Sequence, residues 1–500
     1  MRGSAAARND LLIVTMLYLA STLLYALLGV TFDGSPVETY MQFIERDLLE
    51  NRLLESLWYY HGNPPLLNLL AGIGFKLAGD HAAVVYSAVF HLAGGVTAWC
   101  VYALTLRLSA SRRAAIITTA VLVFSPQFVL YENWMMYEFL SMALLTFSGY
   151  ALHEFLQSRS TKWGVIFFTA LATLLLVRSL FHLAWLILIA VLLVVLLPEQ
   201  RRQVCKVAFL PVLIVALWYA KSAYYFGTFS SSSWMGLGLS NITTLMVPAN
   251  ELMPLVQKGE LSPWALASRY RQAPLLFYSG QVPPTGIPVL DRARKPDDSF
   301  NFNFRDIPQI SRYYRADALT VARRFPSSYV LGVTMANRLY FSPTSMNRYF
   351  TRENREAAGP LERAYNVVSG SHPDTGTMRA THFGFASGYV MEVNWSLPLF
   401  VVWWAVLGYG YVQARRGVLG GAADAQPRAL TIGFIVLTAL YLYVVSTTLE
   451  LNENFRYRFN IEPLFFVLAA TALTAIRTAL PEALWPWRPR PRDPSARQSS

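Results

Sequence analysis

The sequence is short of charge. Asp, Glu, Lys and Arg make up only 14% of its 500 residues, whereas a soluble domain carries about 25%. The shortage extends over most of the chain, and 54% of the residues are hydrophobic. This excludes a soluble protein with a single anchor, and we expect a polytopic membrane protein.

Cysteine is also scarce. Cys100 lies within an apolar segment and Cys205 lies among basic residues, so we expect no disulfide between them. The sequence has no CxxC pair or Cys/His cluster of the kind that binds zinc or carries redox chemistry. It also has no nucleotide-binding glycine loop. No cofactor is therefore indicated, although carboxylates in the first outer loop could serve either as a base or as ligands of a divalent metal.

The positive charge of the chain lies in the wrong places for nucleic-acid binding. The net charge is +12, which would suit a nucleic-acid partner if it formed a compact basic domain. Instead the Lys and Arg residues form short clusters between apolar segments, and such clusters mark the cytoplasmic loops of membrane proteins. We therefore expect the lipid bilayer as partner, and no nucleic acid.

The apolar segments predict about ten membrane-spanning helices with both ends of the chain in the cytoplasm. They lie at residues 11–30, 82–106, 114–130, 135–156, 163–177, 180–197, 207–226, 396–413, 429–449 and 460–477. This arrangement puts every basic cluster inside, on condition that the apolar residues 64–78 do not cross the membrane. The fold class that we predict is therefore an all-α membrane protein with a long first outer loop, residues 31–81.

The segments outside the membrane suggest a domain plan. Residues 1–226 form an N-terminal transmembrane module, and its first outer loop contains two predicted surface helices. Residues 227–394 are polar and form a mixed outer domain inserted between spans seven and eight. Residues 395–480 contain the last helices, and the Pro/Arg-rich residues 481–500 form a disordered cytoplasmic tail.

Ionisable residues collect at the predicted outer ends of the helices. Asp33 follows the first span, and Glu38 comes soon after it. Charges near the hydrocarbon boundary are costly and tend to be functional. The further candidates are His61, Asn63, Tyr137, Glu138, Arg178, His182, Arg456 and Arg458.

Carboxylates beside arginines at a membrane surface suit the transfer of a sugar from a lipid phosphate. Asp33 or Glu38 would take the proton of an acceptor hydroxyl. Arginines such as Arg178 would stabilise the departing phosphate. Each residue also has a structural alternative: Asp33 could simply end a helix, His61 could cap a turn, and Arg178 could reach for the lipid headgroups.

Three short motifs stand out at these positions: residues 61–70 (HGNPPLLNLL), residues 455–464 (FRYRFNIEPL) and residues 231–236 (SSSWMG). Together they resemble the GT-C membrane glycosyltransferases, the superfamily that contains the protein O-mannosyltransferases and the lipid A aminoarabinose transferases. The first looks like the Pro-Pro-Leu start of a surface helix, the second like the opening of a late helix, and the third like a segment that follows the seventh helix in bacterial relatives.

The resemblance implies an inverting glycosyltransferase that moves a sugar from a polyprenyl phosphate to an extracytoplasmic acceptor, in the bacterial inner membrane. Asp33 matches the acidic base of the family best. Many members have an adjacent Asp-Glu pair there, so the separation of Asp33 from Glu38 leaves the base undecided. The alternatives are a flippase or transporter of lipid-linked glycans and a non-catalytic envelope-assembly protein.

Overall fold

The computed structural model describes residues 2–267, 275, 280–369, 396–420 and 425–479. Over these residues the chain is helical, with two isolated β-bridges and no strand. The predicted all-α class is confirmed. The predicted disordered tail lies outside the described residues.

The helices divide into a bundle and two additions to it. The bundle contains α1 (Arg2–Leu27), α6 (Ala82–Ser109), α7 (Arg112–Val123), α8 (Pro126–Glu132), α9 (Tyr137–Ser158), α10 (Thr161–Val177), α11 (Leu183–Leu196), α12 (Arg201–Phe226), α19 (Leu397–Leu419), α20 (Gln426–Leu449), α21 (Asn454–Phe459) and α22 (Glu462–Ala479). The first loop contains α2 (Pro36–Thr39), α3 (Arg46–Asn51), α4 (Leu53–Tyr59) and α5 (Leu66–Ala78). The inserted segment contains α13 (Met235–Ile242), α14 (Ala249–Gln257), α15 (Pro288–Asp291), α16 (Ile307–Arg324), α17 (Pro326–Tyr340) and α18 (Arg352–Ser369).

The bundle has the helices of a multi-pass membrane protein. Among the described residues, seven stretches are long and apolar enough to cross: Arg8–Leu27, Leu66–Ser109, Tyr137–Ser158, Pro198–Phe226, Leu397–Leu419, Gln426–Leu449 and Glu462–Ala479. The pair α7 and α8, bent by 58°, could make an eighth. Helices α10 and α11 have 17 and 14 residues, fewer than the roughly 20 that a span needs. The predicted number of ten is therefore not confirmed.

Helix α5 folds back on α6 and does not extend it. The hydroxyl of Tyr86 donates to the carbonyl of Ala71 at 2.7 Å, and its ring packs against Phe75. In one continuous helix residues 71 and 86 would lie about 22 Å apart. The reversal occurs at Gly79, whose φ of +53° is a conformation that glycine adopts without strain.

Side-chain contacts separate the two ends of the bundle. Arg112 pairs with Asp10 at 2.7 Å, Arg107 pairs with Glu154, and Arg159 lies 3.5 Å from Glu199. The side-chain amide of Gln426 donates to the carbonyl of Leu196 at 3.3 Å. These contacts join α1, the turns that follow α6, α9 and α11, and the start of α20, so the basic residues there share one end, the basic end. At the other end, a Cβ on Gly34 would lie 3.2 Å from Ala83 at the start of α6. Both ends of the first loop therefore lie at this second end, the Asp33 end, and residues 64–78 do not cross the bundle.

The inserted segment packs on the first loop. Arg292 binds Asp47 through two hydrogen bonds of 2.8 and 2.7 Å. The buried ammonium group of Lys295 donates to the carbonyls of Tyr40 and Phe43, each at 2.8 Å. The inserted residues thus help to hold the part of the loop that follows Asp33.

Candidate functional site

Glu138 is the centre of a buried charged cluster at the Asp33 end. It lies in the first turn of α9, and its side chain is 0% exposed. Its Oε1 accepts from Nε of Arg456 at 3.0 Å and also from Nη2 of that residue. Nη2 of Arg178, at the end of α10, lies 3.4 Å from the same oxygen. Three predicted site residues, more than 300 positions apart at the extremes, therefore meet.

Two further side chains complete this cluster, which we call the Glu138 network (Glu138, Arg178, Glu453, Arg456 and Asn460). Glu453 accepts from Nη1 of Arg456. The amide of Asn460 accepts from Nη1 of Arg178 at 3.0 Å and donates to the carbonyl of Arg456, also at 3.0 Å. Two guanidinium groups are thus balanced by two carboxylates, as burial of charge requires. Burial alone would lower the pKa of Arg456, but Glu138 and Glu453 raise it, so Arg456 stays charged.

Aromatic rings surround the two guanidinium groups. The Arg178 guanidinium carbon lies 4.8 Å from the ring centre of Tyr137 and 5.2 Å from that of Tyr457. The corresponding distances from Arg456 to Trp134 and Tyr349 are 5.1 and 5.5 Å. Cations are attracted to ring faces at such distances. These contacts hold both guanidinium groups in fixed orientations.

Asp33 is held next to this network by its backbone. Its N–H donates to the carbonyl of Asn133 at 2.8 Å, and its carbonyl accepts from Met135 at 2.9 Å. The residue opposite it is Trp134, whose ring lies against Arg456. The half-buried Asp33 carboxylate accepts from the N–H and hydroxyl of Ser35, at 3.0 and 2.6 Å.

Tyr40 lies between the first loop and the residues around Arg456. Its ring packs edge-on against Trp134, with centroids 6.0 Å apart. Burial raises the pKa of Tyr40 to about 12, and the charges of Arg456 and Asp33 act on it in opposite directions. Tyr40 also packs against Tyr349, the other ring beside Arg456, with centroids 5.6 Å apart.

Glu38 and Arg458 lie apart from the network. Glu38 is exposed, and its carboxylate is 4.0 Å from Arg46. Arg458 pairs with Glu462 at 3.2 Å and donates to the carbonyl of Tyr340 at the end of α17. Arg456 and Arg458 therefore face different partners, and the site roles of Glu38 and Arg458 stay predictions.

His61 belongs to a second buried cluster, the His61 network (His61, Ser233 and Asn303). Nε2 of His61 lies 3.0 Å from the carbonyl of Asn303, so it carries the ring proton. Nδ1 then accepts from the hydroxyl of Ser233 at 2.8 Å. Burial lowers the pKa of His61 to about 3, and the ring is neutral. This network joins the first loop to the inserted segment, and Asn63 is buried two positions away.

His182 is engaged at the start of α11. Its Nδ1 accepts from the N–H of Ala184 at 3.2 Å, which caps the helix. Its own N–H donates to the hydroxyl of Tyr441 at 3.0 Å. A role for His182 in donor binding stays a prediction.

Some members of the site were not identified from the sequence. Glu453 and Asn460 lie on either side of the Arg-Tyr-Arg motif of residues 456–458. The predicted position of that motif at the outer face could have identified them as candidates. Tyr349 lies in the inserted segment, and no pattern in the sequence identifies it. Its place beside Arg456 depends on a contact between residues that are about a hundred positions apart. Among the described residues, His, Cys, Asp and Glu form no group of three that could hold a metal ion.

Comparisons with known proteins agree with the predicted resemblance. The family model described as "Dolichyl-phosphate-mannose-protein mannosyltransferase" matches residues 62–225, which are 164 of the 500 residues. No curated protein matches by sequence.

Three solved structures are similar at low identity. ArnT from Cupriavidus metallidurans bound to undecaprenyl phosphate has 14% identity and a TM-score of 0.35, and the match covers 93% of this chain and 78% of that one. The apo form of the same protein has 15% identity and a TM-score of 0.33, with coverage of 92% and 78%. The Archaeoglobus fulgidus oligosaccharyltransferase tethered to an acceptor peptide has 13% identity and a TM-score of 0.34, with coverage of 94% and 51%. The family match confirms that this chain, over residues 62–225, resembles the GT-C membrane glycosyltransferases.

Proposed function

We propose that this protein is an inverting glycosyltransferase that moves a sugar from a polyprenyl phosphate to an extracytoplasmic acceptor. The observation that carries the proposal is the placement of Asp33, a half-buried carboxylate, beside the ring on which Arg456 of the Glu138 network lies. The name of the matched family contains a polyprenyl-phosphate sugar, and we propose the same class of donor.

The reaction would be a single displacement at the anomeric carbon. The Asp33 carboxylate takes the proton of the acceptor hydroxyl while that oxygen forms the new glycosidic bond. The bond between the sugar and the phosphate oxygen breaks, and the polyprenyl phosphate leaves with the electron pair. Attack from the face opposite the leaving group inverts the anomeric configuration.

Arg178 is the better placed of the two network arginines to meet the leaving phosphate. A guanidinium group has five N–H donors. In the described contacts Arg456 donates three hydrogen bonds, to Glu138 and Glu453. Arg178 donates one, to Asn460, and its Nη2 lies 3.4 Å from the Glu138 carboxylate in an ion pair. Fixed cationic donors stabilise a phosphate as its charge develops.

Asp33→Asn tests the proposal, and the chain offers a matched control. Asp297 is an exposed residue of the inserted segment that accepts from the N–H and hydroxyl of Ser299, at 3.1 and 2.6 Å, the same pattern that Asp33 makes with Ser35. Loss of a general base lowers the rate by about 10²–10⁴-fold. We expect cells that lack the protein, or carry only Asp33→Asn, to accumulate a polyprenyl-phosphate sugar and lose an envelope glycan. Cells that carry only Asp297→Asn should show neither change.

Other outcomes would change or overturn the assignment. Normal glycan with Asp33→Asn and a defect with Glu38→Gln would move the base to Glu38. If both variants stay fully active, the mechanism is wrong. If the purified protein moves a lipid-linked glycan across vesicles without breaking its phosphate–sugar bond, the protein is a transporter.

We also propose that the Asp33 end faces away from the cytoplasm, in the inner membrane of a bacterium. The basic clusters lie at the opposite end, as expected for cytoplasmic loops. In intact cells an impermeant maleimide should label Thr39→Cys, an exposed position in the first loop, but not the exposed native Cys205. Labelling of Cys205 alone would reverse the orientation.

A further inference from the structure

Asp33 lies in the linker between α1 and α2, and this linker has two separate attachments. On one side the backbone of Asp33 pairs with Asn133 and Met135. On the other side the attachment comes from Asn354, in the first turns of α18.

Asn354 binds the backbone of a single residue through both ends of its amide. Its Oδ1 accepts from the N–H of Thr31 at 2.9 Å, and its Nδ2 donates to the carbonyl of Thr31 at 2.8 Å. Asn354 is 4% exposed. A primary amide has a donor and an acceptor side by side, so neither Ala nor a carboxylate can make both bonds.

The same helix also contacts the other support of Asp33. Helix α18 packs against α8, which leads directly into Asn133 and Trp134. A Cβ on Gly29, two residues after α1, would lie 3.9 Å from the Cβ of Ala357. Just before α18, the carbonyl of Tyr349 accepts from the hydroxyl of Tyr40 at 3.1 Å. One stretch of the inserted segment therefore supports the residues before Asp33, the helix that leads to its backbone partners, and the ring of Tyr40.

We infer that Asn354 is a positioning residue for Asp33, and that the inserted segment completes the catalytic geometry of the first loop. This inference rests on the proposed function. A general base must lie within about 2.6–3.2 Å of the oxygen whose proton it takes. A displacement of about 1 Å in a reacting group can cost a hundredfold in rate. The two bonds to Thr31, two residues before Asp33, limit such displacement.

The experiment compares Asn354→Ala in two backgrounds, with the lipid-linked sugar extracted from cells that lack the protein as donor and their envelope glycan as acceptor. In the parental background we expect kcat to fall roughly tenfold to a hundredfold while KM for the donor stays unchanged. In the Asp33→Asn background we expect no further fall, because there is no base left to position. Asn241→Ala, which removes another buried amide of the inserted segment, should leave both constants unchanged.

A second variant keeps the test valid if Asn354→Ala does not fold. Asn354→Asp keeps the size of the side chain and one acceptor for the Thr31 N–H, and the same loss of kcat alone is expected. Equal falls in both backgrounds, or a rise in KM with kcat unchanged, would overturn the positioning role while leaving the proposed function intact. If Asp33→Asn itself transfers sugar at the parental rate, it is the proposed function that fails.

Discussion

The Asp33 end contains two buried polar clusters that differ in charge. The Glu138 network holds two guanidinium groups and two carboxylates, with half-buried tyrosines on its border. The His61 network is built around a neutral imidazole whose two ring nitrogens are both hydrogen-bonded. Burying charge is expensive and burying a satisfied neutral group is not. The His61 network helps to dock the first loop on the inserted segment without any buried charge, whereas the Glu138 network keeps buried charges, which is the reason that we propose it for the chemistry.

Removal of the central carboxylate should have the largest effect. Glu138→Gln leaves Arg178 and Arg456 buried with one carboxylate fewer, and breaking a buried ion pair costs about 3–5 kcal/mol. We expect a clear fall in the thermal unfolding temperature of the detergent-solubilised protein, together with loss of transfer. Glu38→Gln, at an exposed carboxylate, is the control and should leave the unfolding temperature unchanged.

A charge-balanced double variant separates stability from chemistry. Combining Glu138→Gln with Arg178→Gln removes one charge of each sign, so part of the lost stability should return. Transfer should not return. Recovery of transfer along with stability would mean that the Glu138 network is only structural, like the His61 network.

Arg178 and Arg458 should differ in their effect on phosphate binding. Hydrogen bonds to charged groups contribute about 1.5–3 kcal/mol, and an ammonium cannot replace a forked guanidinium. Arg178→Lys should therefore weaken binding of a polyprenyl phosphate roughly tenfold to a hundredfold in the solubilised protein. Arg458→Lys, whose partners are Glu462 and the Tyr340 carbonyl, should affect stability but not binding. The reverse result would place the phosphate beside Arg458.

The smallest effect on sugar transfer should come from the His61 network, whose contribution should appear as a pH dependence of stability. The pKa of His61 is about 3 in the folded protein and 6.5 for the free side chain. Because the folded pKa is the lower one, the unfolded chain binds the proton first. The contribution of neutral His61 to the free energy of unfolding is therefore complete above pH 6.5. It declines as the pH falls towards 3, by about 1.4 kcal/mol per pH unit.

His61→Gln keeps hydrogen-bonding capacity without a titrating group, so it should flatten this part of the profile. Unfolding temperatures measured between pH 4 and 8 check the prediction. The transfer rate per folded molecule at pH 7 should change little, since His61 does not contact the Glu138 network in the described structure. A loss of transfer comparable to that of Asp33→Asn would instead give His61 a role in the site.

Much of the site was predictable as a set of candidates. The positions of Glu138, Arg178 and Arg456 at helix ends, beside apolar segments, mark them as costly charges with a function or a partner. The pairing among them was not predictable, because Glu138 and Arg456 are separated by more than 300 residues. The different partners of Arg456 and Arg458 could not be predicted either, because these two residues flank Tyr457 in a short helix and their side chains face in different directions.

The sequence by itself determined that the molecule is an all-α membrane protein and that its basic clusters lie at the end opposite Asp33. Low charge, long apolar segments and clustered Lys and Arg impose these features through the cost of placing charge and unpaired backbone in hydrocarbon. Only the tertiary structure decided which charges meet, that α5 turns back at Gly79, and that Asn354 reaches Thr31. These are contacts between distant parts of the chain, and they depend on how the helices pack around one another, which no local pattern of residues specifies.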